Sequence, residues 1–184
     1  MRNDPGDIQV FNVGSSKFTG DKNGKGILKW SDGDIYEGDF IDGLFHGKGK
    51  FKTNDYIYEG DFFEGEFCGK GKMIYNDGRI YEGDFAYFKE HGKGKMTYPD
   101  GRVEEGEWKD GHSHGKGKLT FKNGDKYEGD FYSGMFYGKG KMIYNEGRIY
   151  EGDFLYDKKN GKGKMTYPNG KVEAGEWKDD NFIK

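Results

Sequence analysis

One cysteine, three prolines and few aliphatic residues mark this 184-residue chain. The lone thiol, Cys68, rules out an internal disulfide and suits a reducing compartment. Hydrophobic residues make up only 32% of the sequence, too few for a thick aliphatic core, and no apolar run is long enough to span a bilayer as a helix. Met1 to Val10 lacks the apolar stretch of a signal peptide, so a soluble, cytoplasmic protein is expected. Charge of one sign is missing too. Thirty basic and 33 acidic residues alternate along the whole length and leave a net charge of −3. With no basic block to release counter-ions from phosphates, nucleic acid is not expected as a partner.

Two residue classes are abundant instead: 34 glycines and 17% aromatics. Such an aromatic content argues against disorder, and it points to a thin structure in which rings pack on backbone. Both classes are periodic. Gly-Lys-Gly begins at Gly24, Gly47, Gly69, Gly92, Gly115, Gly138 and Gly161, at steps of 23 residues with one step of 22. A second motif of aromatic-acid-Gly-acid-aromatic is centred on Gly38, Gly60, Gly83, Gly106, Gly129, Gly152 and Gly175 in the same phase. Self-similarity at such a period is the signature of a repeat array.

Each unit reads as a β-hairpin. In the unit from Gly92, Pro99-Asp100-Gly101 forms the turn, with proline presetting φ and glycine accepting a positive φ. Counting back from this turn sets Thr97 against Val103, Lys95 against Glu105, Gly94 against Gly106, Lys93 against Glu107 and Gly92 against Trp108. The unit from Gly69 pairs Met73 with Tyr81, Lys72 with Glu82, Gly71 with Gly83 and Lys70 with Asp84. The shorter unit from Gly47 absorbs its deletion in the turn and still pairs Lys50 with Glu59, Lys48 with Asp61 and Phe51 with Tyr58. Strand alternation then places aromatics and glycines on one face and the lysine–acid pairs on the other. A slip by one residue would move the acids into the aromatic row, so the pairs fix register.

These features predict an all-β fold: a single-layer, curved and twisted antiparallel meander of about seven β-hairpin repeats of 23 residues, an open half-pipe solenoid. Residues 17–178 form the array, residues 1–16 an N-terminal extension and residues 179–184 a tail. A longer period lies above the short one. Residues 69–85 and 138–154 differ only at Asp77 and Glu146, and residues 92–108 and 161–177 differ at three positions, both at an offset of 69. A block of three units has been duplicated.

The unit, carried for example by Tyr127-Glu128-Gly129-Asp130-Phe131 and Gly138-Lys139-Gly140-Lys141-Met142, resembles the MORN (membrane occupation and recognition nexus) repeat. The resemblance runs from about Lys17 to Lys178, with departures at Ile27, Glu104, Glu173 and Ala174. It implies a scaffold, a membrane–cytoskeleton junction, a ciliary component or a module accessory to an enzyme.

Catalytic and metal sites are not expected. Gly43 to Lys48 imitates a phosphate loop but is one residue short and lacks the Ser/Thr and the helix. His112 and His114 lack further ligands, and the acids recur beside lysines in every unit. The chain therefore reads as a non-enzymatic, cofactor-free protein-binding scaffold, placed on the cytoskeleton or ciliary axoneme. Its concave groove is expected on the aromatic face, at Tyr58, Phe62, Tyr81, Phe85, Trp108, Tyr127, Phe131, Tyr150, Phe154 and Trp177, where a single-layer sheet leaves rings open to a partner peptide or helix. A loop edge at Phe45, Phe67, Tyr87, Phe88, Phe136 and Tyr137 is expected to set partner choice. The open sheet ends offer end-to-end self-association. The alternative is peripheral attachment to anionic lipid through Lys70, Lys93, Lys116, Lys139 and Lys162, each of which faces an acid.

Overall fold

The computed structural model describes residues 9–13 and 16–183, and among them every regular element is a β-strand. Residues 1–8 of the expected N-terminal extension lie outside the described residues, whereas Gln9–Val13 forms a strand. The chain comprises two compact units, one ending at Lys89 and the other starting at Glu90, and each is described by itself.

The first unit is an antiparallel meander of β1 (Gln9–Val13), β2 (Ser16–Gly20), β3 (Lys25–Trp30), β4 (Ile35–Ile41), β5 (Leu44–Lys52), β6 (Tyr56–Phe63), β7 (Glu66–Tyr75) and β8 (Ile80–Ala86). The second contains β9 (Lys89–Thr97), β10 (Val103–Lys109), β11 (His112–Thr120), β12 (Lys126–Tyr132), β13 (Met135–Ile143), β14 (Ile149–Leu155), β15 (Lys158–Thr166), β16 (Val172–Lys178) and the two-residue β17 (Asn181–Phe182). Its neighbours in sequence also pair antiparallel. Register follows the sequence reading at every hairpin tested: Lys95 faces Glu105, Gly94 faces Gly106 and Trp108 faces Gly92. Met73 faces Tyr81, and Lys50 faces Glu59 across the shortened turn.

The six-residue joins between hairpins are not loops. Strands run on through them to two-residue turns such as Asp42-Gly43 and Ser133-Gly134, whose φ values of 50° and 80°, and of 48° and 82°, are both positive. Such mirror-image turns match the right-handed twist of the flanking strands. Each extended join carries a bulge. Gly60 faces Gly71 but Asp61 faces Cys68, so Gly69 and Lys70 are extra on β7. Gly69 takes φ 57°, a left-handed conformation that costs a residue with a Cβ.

Rings dominate the core of each unit, with methionines such as Met73 and Met142 buried beside them. Tyr36 stacks on Phe45 at 3.7 Å, Tyr58 on Phe67 at 4.1 Å and Tyr127 on Phe136 at 3.7 Å. Phe40, Phe62 and Phe131 meet the same tyrosines edge to face at 5.1–5.2 Å, a geometry that complements the ring quadrupoles. Glycine makes the close approach possible. A Cβ on Gly49 would sit 2.5 Å from the Tyr36 hydroxyl and 2.6 Å from its ring.

Candidate partner-binding surface

The aromatic face is closed. Tyr58, Phe62, Tyr81, Phe85, Trp108, Tyr127, Phe131, Tyr150, Phe154 and Trp177 are at most 5% exposed, so these ten side chains are core and not the open groove expected from the sequence. A second layer is not needed to cover them. The bulged strands return Phe45, Phe67 and Phe136 over the tyrosine rings, and each ring lies on a glycine column. The expected loop edge splits for the same reason. Phe67 and Phe136 are buried and Phe45 is half-buried, while Tyr87, Phe88 and Tyr137 are exposed at 80%, 50% and 40%.

Buried tyrosines need partners for their hydroxyls, and the bulges supply them. Tyr36, Tyr58, Tyr127 and Tyr150 each donate to the backbone carbonyl of the acid three residues later, Asp39, Asp61, Asp130 and Asp153, at 2.7–3.0 Å. Burial pushes all four phenols above their ordinary value, Tyr150 up to about 12. Where glutamate replaces the tyrosine, the same need is met differently. Tyr98 donates to Glu104 at 2.7 Å and Tyr167 to Glu173 at 2.6 Å. In both of these repeats, which lie in the second unit, a tryptophan also donates to a glycine carbonyl, Trp108 to Gly94 and Trp177 to Gly163, at 3.2 Å. The device recurs 69 residues apart, as the duplicated block requires.

The opposite face carries the charge, and it is the hollow one. In the first unit an open trough of about 870 Å³ is lined by Lys25, Ile27, Glu37, Lys48, Lys50 and Glu59 around the glycines 26, 38, 49 and 60. The second unit has a counterpart of about 770 Å³, lined by Glu105, Lys116, Lys118, Glu128, Lys139, Lys141 and Glu151 around glycines 106, 117, 129 and 140. Glycines point their missing side chains at the aromatic core, so the trough floor is bare backbone between two charged rows.

The row that carries the aspartates is a continuous chain of contacts. Lys25 pairs with Asp39 at 2.6 Å, and the Lys48 backbone N–H donates to the other Asp39 oxygen at 3.1 Å. The Lys25 ammonium and the Lys48 amide hold the Asp39 carboxyl below its usual range. Lys48 in turn pairs with Asp61 at 2.5 Å, and Asp61 accepts from the Lys70 N–H at 3.0 Å. Asp130 and Asp153 repeat both contacts in the second unit. Each aspartate thus caps a bulge as well as pairing with a lysine, a second task that pair counting across the hairpin does not reveal. Of the lysines proposed for lipid, Lys70, Lys116 and Lys139 are held in ion pairs at 2.5–2.6 Å and Lys93 in one at 2.9 Å. Among the described residues Glu37 makes no ion pair, because Ile27 stands where other hairpins place lysine.

The fold defines the class of this chain as a β-hairpin repeat protein. The MORN repeat profile matches residues 17–35, 36–56, 58–78, 81–101, 105–126, 127–147 and 150–172, and the chain belongs to the MORN repeat family. Sequence comparison with curated proteins finds no significant match. Among solved structures it is similar to the TCP domain of Drosophila melanogaster SAS-4, solved in complex with a proline-rich motif of Ana2, at 18% identity over 86% of this chain and 87% of that one, with a TM-score of 0.50. The TCP10c domain of Drosophila melanogaster Sas-4 alone gives 17% identity, 86% and 96% coverage and a TM-score of 0.46. The G-box domain of the microcephaly protein CPAP gives 14% identity, 94% and 99% coverage and a TM-score of 0.49.

Proposed function

We propose that this protein is a non-catalytic scaffold that holds a peptide segment of a protein partner along its charged troughs, within a cytoplasmic cytoskeletal assembly such as a ciliary axoneme. The observation that carries the reading is the recurrence of one trough, of similar volume and equivalent lining, in both units. Its charges are cross-strand ladder pairs, an arrangement for recognition by complementarity and not for proton transfer. The SAS-4 TCP domain has the same kind of fold and was solved with a bound protein segment, which supports a peptide as the kind of partner.

Peptide display against the immobilised chain tests the reading. Selected peptides are expected to lose about tenfold in affinity for a variant with Lys50→Glu and Lys141→Glu, one reversal in each trough. Selection that yields no binder, or binders indifferent to those reversals, would overturn it. Binders indifferent to the reversals but lost on Phe88→Ala would move the site to the exposed turn edge.

A further inference from the structure

Three rings close the join between β12 and β13. Tyr127 stacks on Phe136 at 3.7 Å, and Phe131 meets both edge to face at 5.2 and 5.5 Å. One repeat earlier, the join between β10 and β11 puts Glu104, Ser113 and Trp108 at the equivalent places in the ladder. Only the tryptophan brings a ring. Glu104 and Ser113 are 6% and 5% exposed, and neither Glu104 Oε1 nor Ser113 Oγ makes a hydrogen bond among the described residues. A carboxylate oxygen and a hydroxyl taken out of water without partners oppose the closed hairpin, whereas stacked rings favour it.

The duplicated block shows which partner the carboxylate lacks. Residues 161–177 repeat residues 92–108 with Asn169 for Asp100, Lys171 for Arg102 and Ala174 for Glu105. In the later copy both oxygens of the acid are partnered. Glu173 Oε1 accepts from the Lys171 ammonium at 2.6 Å, and Oε2 accepts from the Tyr167 hydroxyl at 2.6 Å. Asn169 keeps the turn by accepting from the Lys171 backbone N–H at 3.0 Å. In the earlier copy Asp100 accepts the corresponding Arg102 N–H at 3.0 Å, but its other oxygen also takes the guanidinium, at 2.8 Å. Arg102 lies over the Tyr98 ring at 4.5 Å, and the Tyr98 hydroxyl donates to Glu104. The guanidinium is thus one ring away from the buried carboxylate and tied to the turn.

We infer that the β10–β11 hairpin is built to open locally and that Arg102 is its latch. Paired with Asp100, the guanidinium leaves Glu104 Oε1 unpartnered and the hairpin loose. Paired with Glu104, two residues along the chain as Lys171 is from Glu173, it holds the hairpin shut. Local opening concentrates where buried contacts are poorest. β10 and β11 also carry Glu105, Lys116 and Lys118 of the second trough, so opening unmakes that end of it and closing restores it.

Hydrogen–deuterium exchange on the full chain, resolved by peptide mass spectrometry, tests the inference. Amides of β12–β13, closed by the three rings, are the internal reference. Wild-type β10–β11 amides are expected to exchange about tenfold faster than these. Asp100→Asn/Arg102→Lys reproduces the turn of the later copy, at exposed positions, and should slow β10–β11 about tenfold while β12–β13 stays as it was. Ser113→Ala, which deletes an unpartnered oxygen without adding bulk, should slow the same amides. Equal protection of the two hairpins in the wild type overturns the inference. So does a turn variant whose β10–β11 exchange matches wild type, or one that slows every strand alike.

Discussion

Tyrosine, not phenylalanine, stands at positions 36, 58, 127 and 150 because each buried ring must also reach a carbonyl at the following bulge. Tyr58→Phe keeps the stack on Phe67 and leaves the Asp61 carbonyl without this donor. The loss should cost about 1–2 kcal/mol, the range for a buried acceptor deprived of its partner, and chemical denaturation should show it as a lower midpoint with an unchanged slope. At this scale much was legible from the sequence. Lysine faces acid and glycine faces glycine wherever a turn allowed counting. The hydroxyl bond was not legible, since it depends on a bulge that lies in the segment read as a loop. Glu104 and Glu173 look like isolated departures in sequence. In the structure they are half of a pair, each accepting from a tyrosine hydroxyl six residues before it.

Two kinds of turn build the elements, and only one announces itself. Pro-Asp-Gly and its relatives are read directly. The second kind is marked by Xaa-Gly at Asp42-Gly43, Glu64-Gly65, Asp110-Gly111 and Ser133-Gly134, but Tyr156-Asp157 adopts the same two positive φ angles, 49° and 68°, without glycine. Two extra bulge residues in each join also defeat a simple pairing count. Asp157 offsets its conformation by accepting from the Phe136 N–H at 2.8 Å. Tyr156 has no such bond in its favour, so Tyr156→Asn should stabilise the second unit by about 0.5–1 kcal/mol, measured as a rise in Tm, because asparagine enters the left-handed region more readily. The bulge itself sets the larger contrast. Asp61→Ala removes the acceptor of the Lys70 N–H and should cost about 1–2 kcal/mol. Lys48→Ala removes only the exposed ion pair with Asp61 and should cost less than about 0.5 kcal/mol. Equal losses in denaturant midpoint would show the aspartate to be a charge partner and not a cap.

Each unit solves at the level of the whole sheet a problem its residues pose only locally: how a single layer keeps its rings dry. Sequence logic assigned the faces correctly and left the aromatic one open, since a single-layer sheet by itself leaves its rings uncovered. Closure comes instead from strands that run past the expected hairpin end and carry Phe45, Phe67 and Phe136 back over the tyrosines, which is a tertiary effect of bulge and turn together. The hollow falls on the charged face, a consequence of how the strands are arranged that no single repeat encodes. With tyrosines in the core of both units, alkaline pH becomes the whole molecule's weak side. Burial raises these phenols, Tyr150 up to about 12, while in the unfolded chain they ionise near about 10. A raised folded value means the stabilisation is complete below about 10 and is lost as pH climbs through the folded value. Across that window the unfolded chain releases protons that the folded chain retains, so stability must fall as pH rises. The denaturation midpoint should hold steady up to about pH 10 and then drop toward pH 12, with tyrosinate absorbance appearing together with the loss of β-sheet circular dichroism. Tyrosinate that appears early, before any change in circular dichroism, would place these phenols in water and contradict the closed core.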